Sequence, residues 1–221
     1  MSFFELLAEA FPRLLAGLGS TIVMTFVSLL FAIVIGLISC LMAISHIKVL
    51  KGISSVFVDI IRGTPLLVQA FFVYFGLTQA LNIRLSSEVA GVITLSLNAG
   101  AYLSEIFRGG IQAVPVGQME ASRSLGLPYS RAMIKVILPQ AVRIIIPSLV
   151  NQFIITLKDT SIISVIGLRE LTQAGKIIIA SNFRSFEVWA MVAVMYLVII
   201  LLLSKLSKYI ERKIAYGKGK R

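Results

Sequence analysis

Five stretches of this chain carry no charged side chain: 14–45, 63–83, 89–104, 144–157 and 188–204, each bounded by charge or by His46. A helix needs about 20 mostly apolar residues to cross the hydrocarbon of a bilayer. The first two stretches are long enough alone. The third becomes so by taking in Glu105 to Phe107, and the fifth by admitting Glu187 and its neighbours at the interface. The fourth is short, so it either starts near Val142 or carries Lys158 and Asp159 into the membrane. The pattern predicts an all-α integral membrane protein forming one transmembrane domain over 1–221, with five crossings at about 21–44, 66–81, 88–107, 144–157 and 186–206.

The segments between the crossings have patterns of their own. Over 3–15, Phe3, Leu6, Leu7, Ala10, Phe11 and Leu14 stand at helical spacing opposite Glu5 and Glu9, which predicts a short helix lying on the outer surface. Gly36 and Ser39 are small residues three apart, a spacing that lets another helix approach closely in lipid. Gly63-Thr64-Pro65 predicts a bend between an interfacial helix and the second crossing, because proline disfavours helix at the residue before it. Residues 158–185 alternate short apolar runs with Gly167, Arg169, Glu170, Gly175 and Lys176 and read as irregular backbone, tolerated at depth where protein or a water-filled cavity covers it. The insert 108–143 reads as helix, glycine, helix. Pro115 suits a helix first turn, Gly126 stands where a C-terminus favours a left-handed residue, Pro128 opens the next helix and Pro139 breaks it.

Composition agrees with the pattern and narrows it. Hydrophobic residues make up 57% and charged ones only 14% of 221, against about 25% charged in soluble domains. The N-terminal residues lack the basic start of a cleavable signal, and the first apolar run continues past signal length. The formal charge of +11 does not indicate nucleic acid, because of where it lies. Fifteen of the 21 Lys and Arg fall in 48–62, 108–143 and the tail from Lys205 onward, which includes Lys218, Lys220 and Arg221. Positive loops face the cytoplasm, so the N-terminus is expected outside and the C-terminus inside. Cys40 is the single cysteine, which excludes an intrachain disulfide and a cysteine zinc site. His46 is the single histidine and has no sequence partner for catalysis, so no enzyme chemistry is expected. Gly175-Lys176 is followed by Ile177 and Gly217-Lys218 by Gly219, so neither completes a phosphate-binding loop. The chain is expected to bind no cofactor, and any nucleotide energy must come from a partner.

Within the insert, Glu120-Ala121-Ser122, Gly126 and then Val136-Ile137-Leu138-Pro139 resemble the signature loop of ABC-importer permease subunits, Glu-Ala-Ala, Gly, Ile-x-Leu-Pro at the same spacing. Ser122 and Val136 are mild departures. Ile61-Arg62-Gly63-Thr64-Pro65-Leu66, Ala101 to Ile111 and Leu157-Lys158-Asp159-Thr160-Ser161 are similar to the branch that imports histidine, glutamine, glutamate, arginine and opines, so the likeness covers nearly all of residues 15–210. The resemblance implies a type I importer fold and a cytoplasmic coupling helix docking in a separate ATPase subunit. Carried over, it assigns that role to Gly117, Met119, Glu120, Ala121, Ser122, Arg123 and Leu125, with Gly126 as hinge. It further implies two ATPase subunits holding ATP and Mg²⁺, a second permease subunit identical or paralogous to this one, an extracytoplasmic amino-acid-binding protein, and a prokaryotic plasma (inner) membrane.

Acidic residues at membrane depth cost about 2.5–3.5 kcal/mol on insertion scales and mark function or pairing. Asn98, Tyr102 and Glu105 recur at spacings of four and three, forming one polar stripe. The functional reading gathers them with Asp159 and Thr160 around a zwitterion, whose ammonium needs an acceptor. The structural reading pairs Glu105 with Arg108, and Asp159 with Lys158 or a helix start. The function expected is import of polar L-amino acids by alternating access. The alternatives are a related importer for an opine, a sulfur amino acid or a peptide, and an ATP-independent carrier or channel.

Overall fold

A computed structural model describes residues 3–216, which contain helices and turns but no strand. Of the basic tail, Lys218, Lys220 and Arg221 lie outside the described residues.

The chain begins with α1 (Phe3–Ile44), one helix of 42 residues. The expected surface helix over 3–15 is therefore not a separate element. Its apolar face, Leu6, Ala10 and Leu14, is buried against Leu171, Ile178, Val188 and Val192 from later in the chain. Pro12 stands inside α1, where its missing N–H removes one backbone hydrogen bond. The packing on either side holds the helix through it.

After α1 come α2 (Lys48–Gly63), α3 (Leu66–Phe71), a π-helical turn over Phe72–Leu77 and α4 (Thr78–Leu81). The axis bends by 105° between α2 and the segment Leu66–Leu81, as Gly63-Thr64-Pro65 predicts. Asn82 closes α4 in the left-handed region at φ 50°.

α5 (Ser87–Gln112) is the central helix. Ser86 caps it, its Oγ accepting the Val89 N–H at 3.3 Å. Parallel to it runs α1, in a steady register: Met24 lies near Gly91, Ser28 near Ser96, Ile35 near Gly100 and Gly36 near Leu103. Gly36 and Gly100 make this closeness possible. A Cβ at Gly36 would sit 2.8 Å from Leu103 Cβ and 3.0 Å from the Gly100 carbonyl. One turn further on, Ser39, Ser54 and Ser104 join hydroxyls at 2.8 and 2.9 Å and tie α1, α2 and α5 together. Such interhelical bonds average about 0.6 kcal/mol in membranes.

The insert follows as α6 (Val116–Ser124), α7 (Tyr129–Ala132) and a π-helical turn over Met133–Ile137. α8 (Leu138–Ile163) starts without a break, with Pro139 in its first turn. Pro139 thus does not end a helix. A first-turn proline gives up an N–H that has little to bond, and the Leu138 N–H reaches back five residues to the Met133 carbonyl. α8 also passes well beyond 144–157 at both ends and carries Lys158 and Asp159 within it.

A 3₁₀ turn (Ser164–Ile166) and Gly167 at φ +84° then reverse the chain into α9 (Leu171–Asn182) and α10 (Ser185–Tyr216). Residues 158–185 are therefore mostly helical, not irregular. Glu170 caps α9, Oε1 accepting the Gln173 N–H at 2.7 Å, so a charge that reads as a loop residue is what starts the helix.

Among the described residues four helices are long and apolar enough to cross a membrane, or up to five crossings when the bent pair counts as one. Three apolar clusters among the described residues hold them together. One joins α1, α5, α8 and the insert through Phe107, Val114, Ile137 and Ile145. A middle one centres on Ala70, Leu95 and Ile163, and the third gathers the start of α1 with α9 and the start of α10.

Candidate coupling face and translocation site

α6 stands at the end of the bundle where α5 finishes and α8 begins. Pro115 precedes it, and Gly126 follows at φ +84° with open space around its Cβ position. The Leu127 N–H then reaches the Ser122 carbonyl at 3.2 Å, closing the turn as a left-handed C-cap does. The eight residues assigned to coupling divide by face. Met119 packs against the apolar cluster of α5 and α8. Ser122 is buried, its hydroxyl donating to the Gln118 carbonyl at 2.6 Å. Gly117, Glu120, Ala121, Arg123, Leu125 and Gly126 are exposed, and Leu125 is 85% exposed although apolar. The helix is thus anchored by one face and offers the other. The basic segments of α2 and of the insert share this end with it, since Ile44 and Val114 belong to the same cluster as Ile137.

Along α5 the polar stripe exists as a physical feature. Asn98 is nearly buried, its Nδ2 donating to Gln69 Oε1 on α3 at 3.0 Å. Tyr102 is partly exposed, with the Arg62 guanidinium 5.1 Å from its ring centre, a cation–π distance. Glu105 accepts from Arg108 Nε at 3.0 Å and Nη2 at 2.6 Å, and Arg62 Nη1 lies 3.9 Å from its Oε2. Both Glu105 oxygens are occupied in this conformation, as the pairing reading anticipates. The cluster it belongs to holds two guanidiniums and one carboxylate, so it favours a carboxylate from outside over an ammonium.

Antiparallel packing of α8 on α5 sets the level of the remaining two residues. Gly110 faces Ile145 at one end and Gly91 faces Ile163 at the other, which puts Asn98 opposite Thr156 and Asp159 about one turn beyond it. Asp159 is half-buried and makes no hydrogen bond or ion pair among the described residues. Thr160 is wholly buried, bonds its own helix at the Leu157 carbonyl (2.7 Å) and lies beside the Tyr196 hydroxyl. The structure therefore does not bring Thr160 to the stripe. Successive helical residues point about 100° apart, and Thr160 takes the direction of α10.

Four polar residues were given no role by the sequence reading. Gln69 bridges α3 to Asn98. Gln152 and Thr156 are buried on α8 at the level of the stripe. Glu170 is fully buried, and its Oε2 accepts the Tyr196 hydroxyl at 2.7 Å. Only Gln69 carried a usable signal, a glutamine one turn after a helix-breaking proline.

Comparison with known proteins places this geometry. The family model for the binding-protein-dependent transport system inner membrane component matches residues 32–216. The glutamine transport system permease protein GlnP of Escherichia coli (strain K12) is 42% identical over 205 residues, covering 92% of this chain and 94% of that protein. The L-cystine transport system permease protein TcyB of Bacillus subtilis (strain 168) is 40% identical over 212 residues, covering 95% and 90%. A crystal structure of an amino acid ABC transporter with histidines superposes with a TM-score of 0.92 at 41% identity, covering 96% of this chain and 99% of that one. This chain, with its exposed helix between the third and fourth crossings, belongs to the family of binding-protein-dependent transport system inner membrane components.

Proposed function

We propose that this chain is the permease subunit of an ATP-driven importer that moves polar L-amino acids into the cytoplasm. One observation carries the reading: α6 is fastened to the α5–α8 cluster through Met119 and Ser122 while Glu120, Ala121, Arg123 and Leu125 point away from it. A helix held so is suited to receive a push from a separate ATPase and pass it to two crossing helices. Five crossings enclose a polar path poorly, so two permease subunits are expected, identical or paralogous, each with one ATPase subunit that holds ATP and Mg²⁺. An extracytoplasmic binding protein hands over the cargo, as the family's description implies. The basic loops at the α6 end support a cytoplasmic position for that end and for the C-terminus, with the N-terminus outside, in the membrane of a prokaryotic cell.

Transport then proceeds by rocking about a midplane site. ATP and cargo together supply the differential binding that inverts the two states, about 5.5 kcal/mol for a swing from 1:99 to 99:1. Along the path the guanidinium cluster of Arg62 and Arg108 suits a carboxylate, and Asp159, about two to three turns away by the register of α8 on α5, suits an ammonium, so a small zwitterion meets them in turn. Similarity to a glutamine and to a cystine permease is nearly equal, so the proposal commits to the class of cargo.

Reconstitution tests it. The purified complex in proteoliposomes should take up a polar amino acid only with ATP inside the partner's reach. Glu120→Lys should abolish that uptake, or the ATPase's assembly, while membrane insertion stays normal. Uptake persisting without ATP, or unchanged in Glu120→Lys, contradicts the reading.

A further inference from the structure

Proline lacks the N–H that would bond the carbonyl four residues back, so Pro65 leaves the Ile61 carbonyl without its helical donor. That carbonyl lies at the elbow between α2 and α3, inside a bent membrane segment where unsatisfied backbone is costly. A side chain replaces the donor. Gln69 Nε2 lies 2.6 Å from the Ile61 carbonyl, 2.9 Å from Thr64 Oγ1 and 3.1 Å from the Thr64 carbonyl. The Thr64 hydroxyl in turn serves the Ile60 carbonyl at 2.8 Å. The other end of the same amide looks elsewhere: Gln69 Oε1 accepts Asn98 Nδ2 at 3.0 Å. One side chain therefore spans from the elbow to the polar stripe of α5.

One N–H of the Asn98 amide goes to Gln69, and its Oδ1 has no hydrogen-bond partner among the described residues. We propose that Gln69 is a positioning residue for transport: it staples the elbow shut and orients Asn98 so that Asn98 Oδ1 is the free acceptor for cargo. The proposal deepens the reading of this chain as an amino-acid permease and rests on it. Cargo that engages Asn98 also pulls on the staple, so the angle between α2 and α3 responds to occupancy. The two ends of the amide do separate jobs. Without the donor the elbow loosens; without the acceptor Asn98 turns freely.

The test uses the whole complex in proteoliposomes, with spin labels at Val56 on α2 and Phe72 beyond α3, both exposed. The wild type should give one narrow label distance that shifts when the transported amino acid is added. Gln69→Met, similar in length but without hydrogen bonds, should broaden that distance and raise the KM for uptake about tenfold, the factor that one lost hydrogen bond represents. Asn98→Asp keeps an acceptor but loses the donor to Gln69, so it should raise KM while the elbow distance stays narrow. A wild-type KM in Gln69→Met overturns the proposal, whether or not the distance broadens. A broadened distance in Asn98→Asp overturns it too, because the elbow would then depend on Asn98. A wild-type complex that imports no polar amino acid overturns the functional reading instead, and the elbow distances still decide whether Gln69 is the staple.

Discussion

Asp159 is the residue whose position is hardest to explain by packing alone. It is half-buried in α8 and has no hydrogen bond or ion pair among the described residues. A carboxylate in such a place is costly unless something compensates it; the neighbouring Lys158 charge does so in part, and a cargo ammonium adds to it when bound. Asp159→Asn should therefore cut amino-acid uptake by more than tenfold while lowering the amount of inserted protein far less. Equal losses of uptake and protein would mark Asp159 as structural. Charge in an apolar run is visible in a sequence, so Asp159 and Glu105 were legible as candidates. Their partners were less so. Arg108 three residues on foreshadowed the Glu105 pairing, but the approach of Arg62 depends on the elbow that returns α2 toward α5. Thr160 next to Asp159 looked like a companion and is not, because its face meets α10.

At the scale of the helix, close approach decides what a glycine is for. Gly36 lies against α5, where a Cβ would press on Leu103 and the Gly100 carbonyl at 2.8 and 3.0 Å. Gly52 lies in α2 with open space around its Cβ position. Gly36→Ala should destabilise the detergent-solubilised subunit by about 1–3 kcal/mol through overpacking. Gly52→Ala should leave it unchanged or firmer by up to about 1 kcal/mol, from helix propensity. Thermal denaturation of the two variants side by side checks this, and equal melting shifts would contradict the assigned register of α1 on α5. The Gly36–Ser39 spacing already pointed to this contact. Element boundaries were less legible, for a common reason. Charge and proline read as breaks along the sequence, yet tertiary packing carries α1 through Pro12 and α8 through Lys158 and Asp159. A buried Glu170 starts α9 by capping it, where periodicity alone suggested irregular chain.

For the whole molecule, the alternation of apolar and charged segments was enough to read a helical bundle, of four crossings or up to five with the bent pair among the described residues, and the location of the insert. What it did not contain is the division of α6 into an anchored and an offered face, since Met119 and Ser122 turn inward only because α5 and α8 meet beneath them. That division is the basis for assigning a mechanical role. The measurement that bears on it most directly is site-specific crosslinking in native membranes from Ala121→Cys, on the offered face, and from Ser122→Cys, on the anchored face. The account predicts that Ala121→Cys captures the ATPase subunit in high yield, in a manner that changes with bound nucleotide, while Ser122→Cys captures little. No capture from Ala121→Cys with the complex intact, or labelling of that cysteine only from outside the cell, would contradict it.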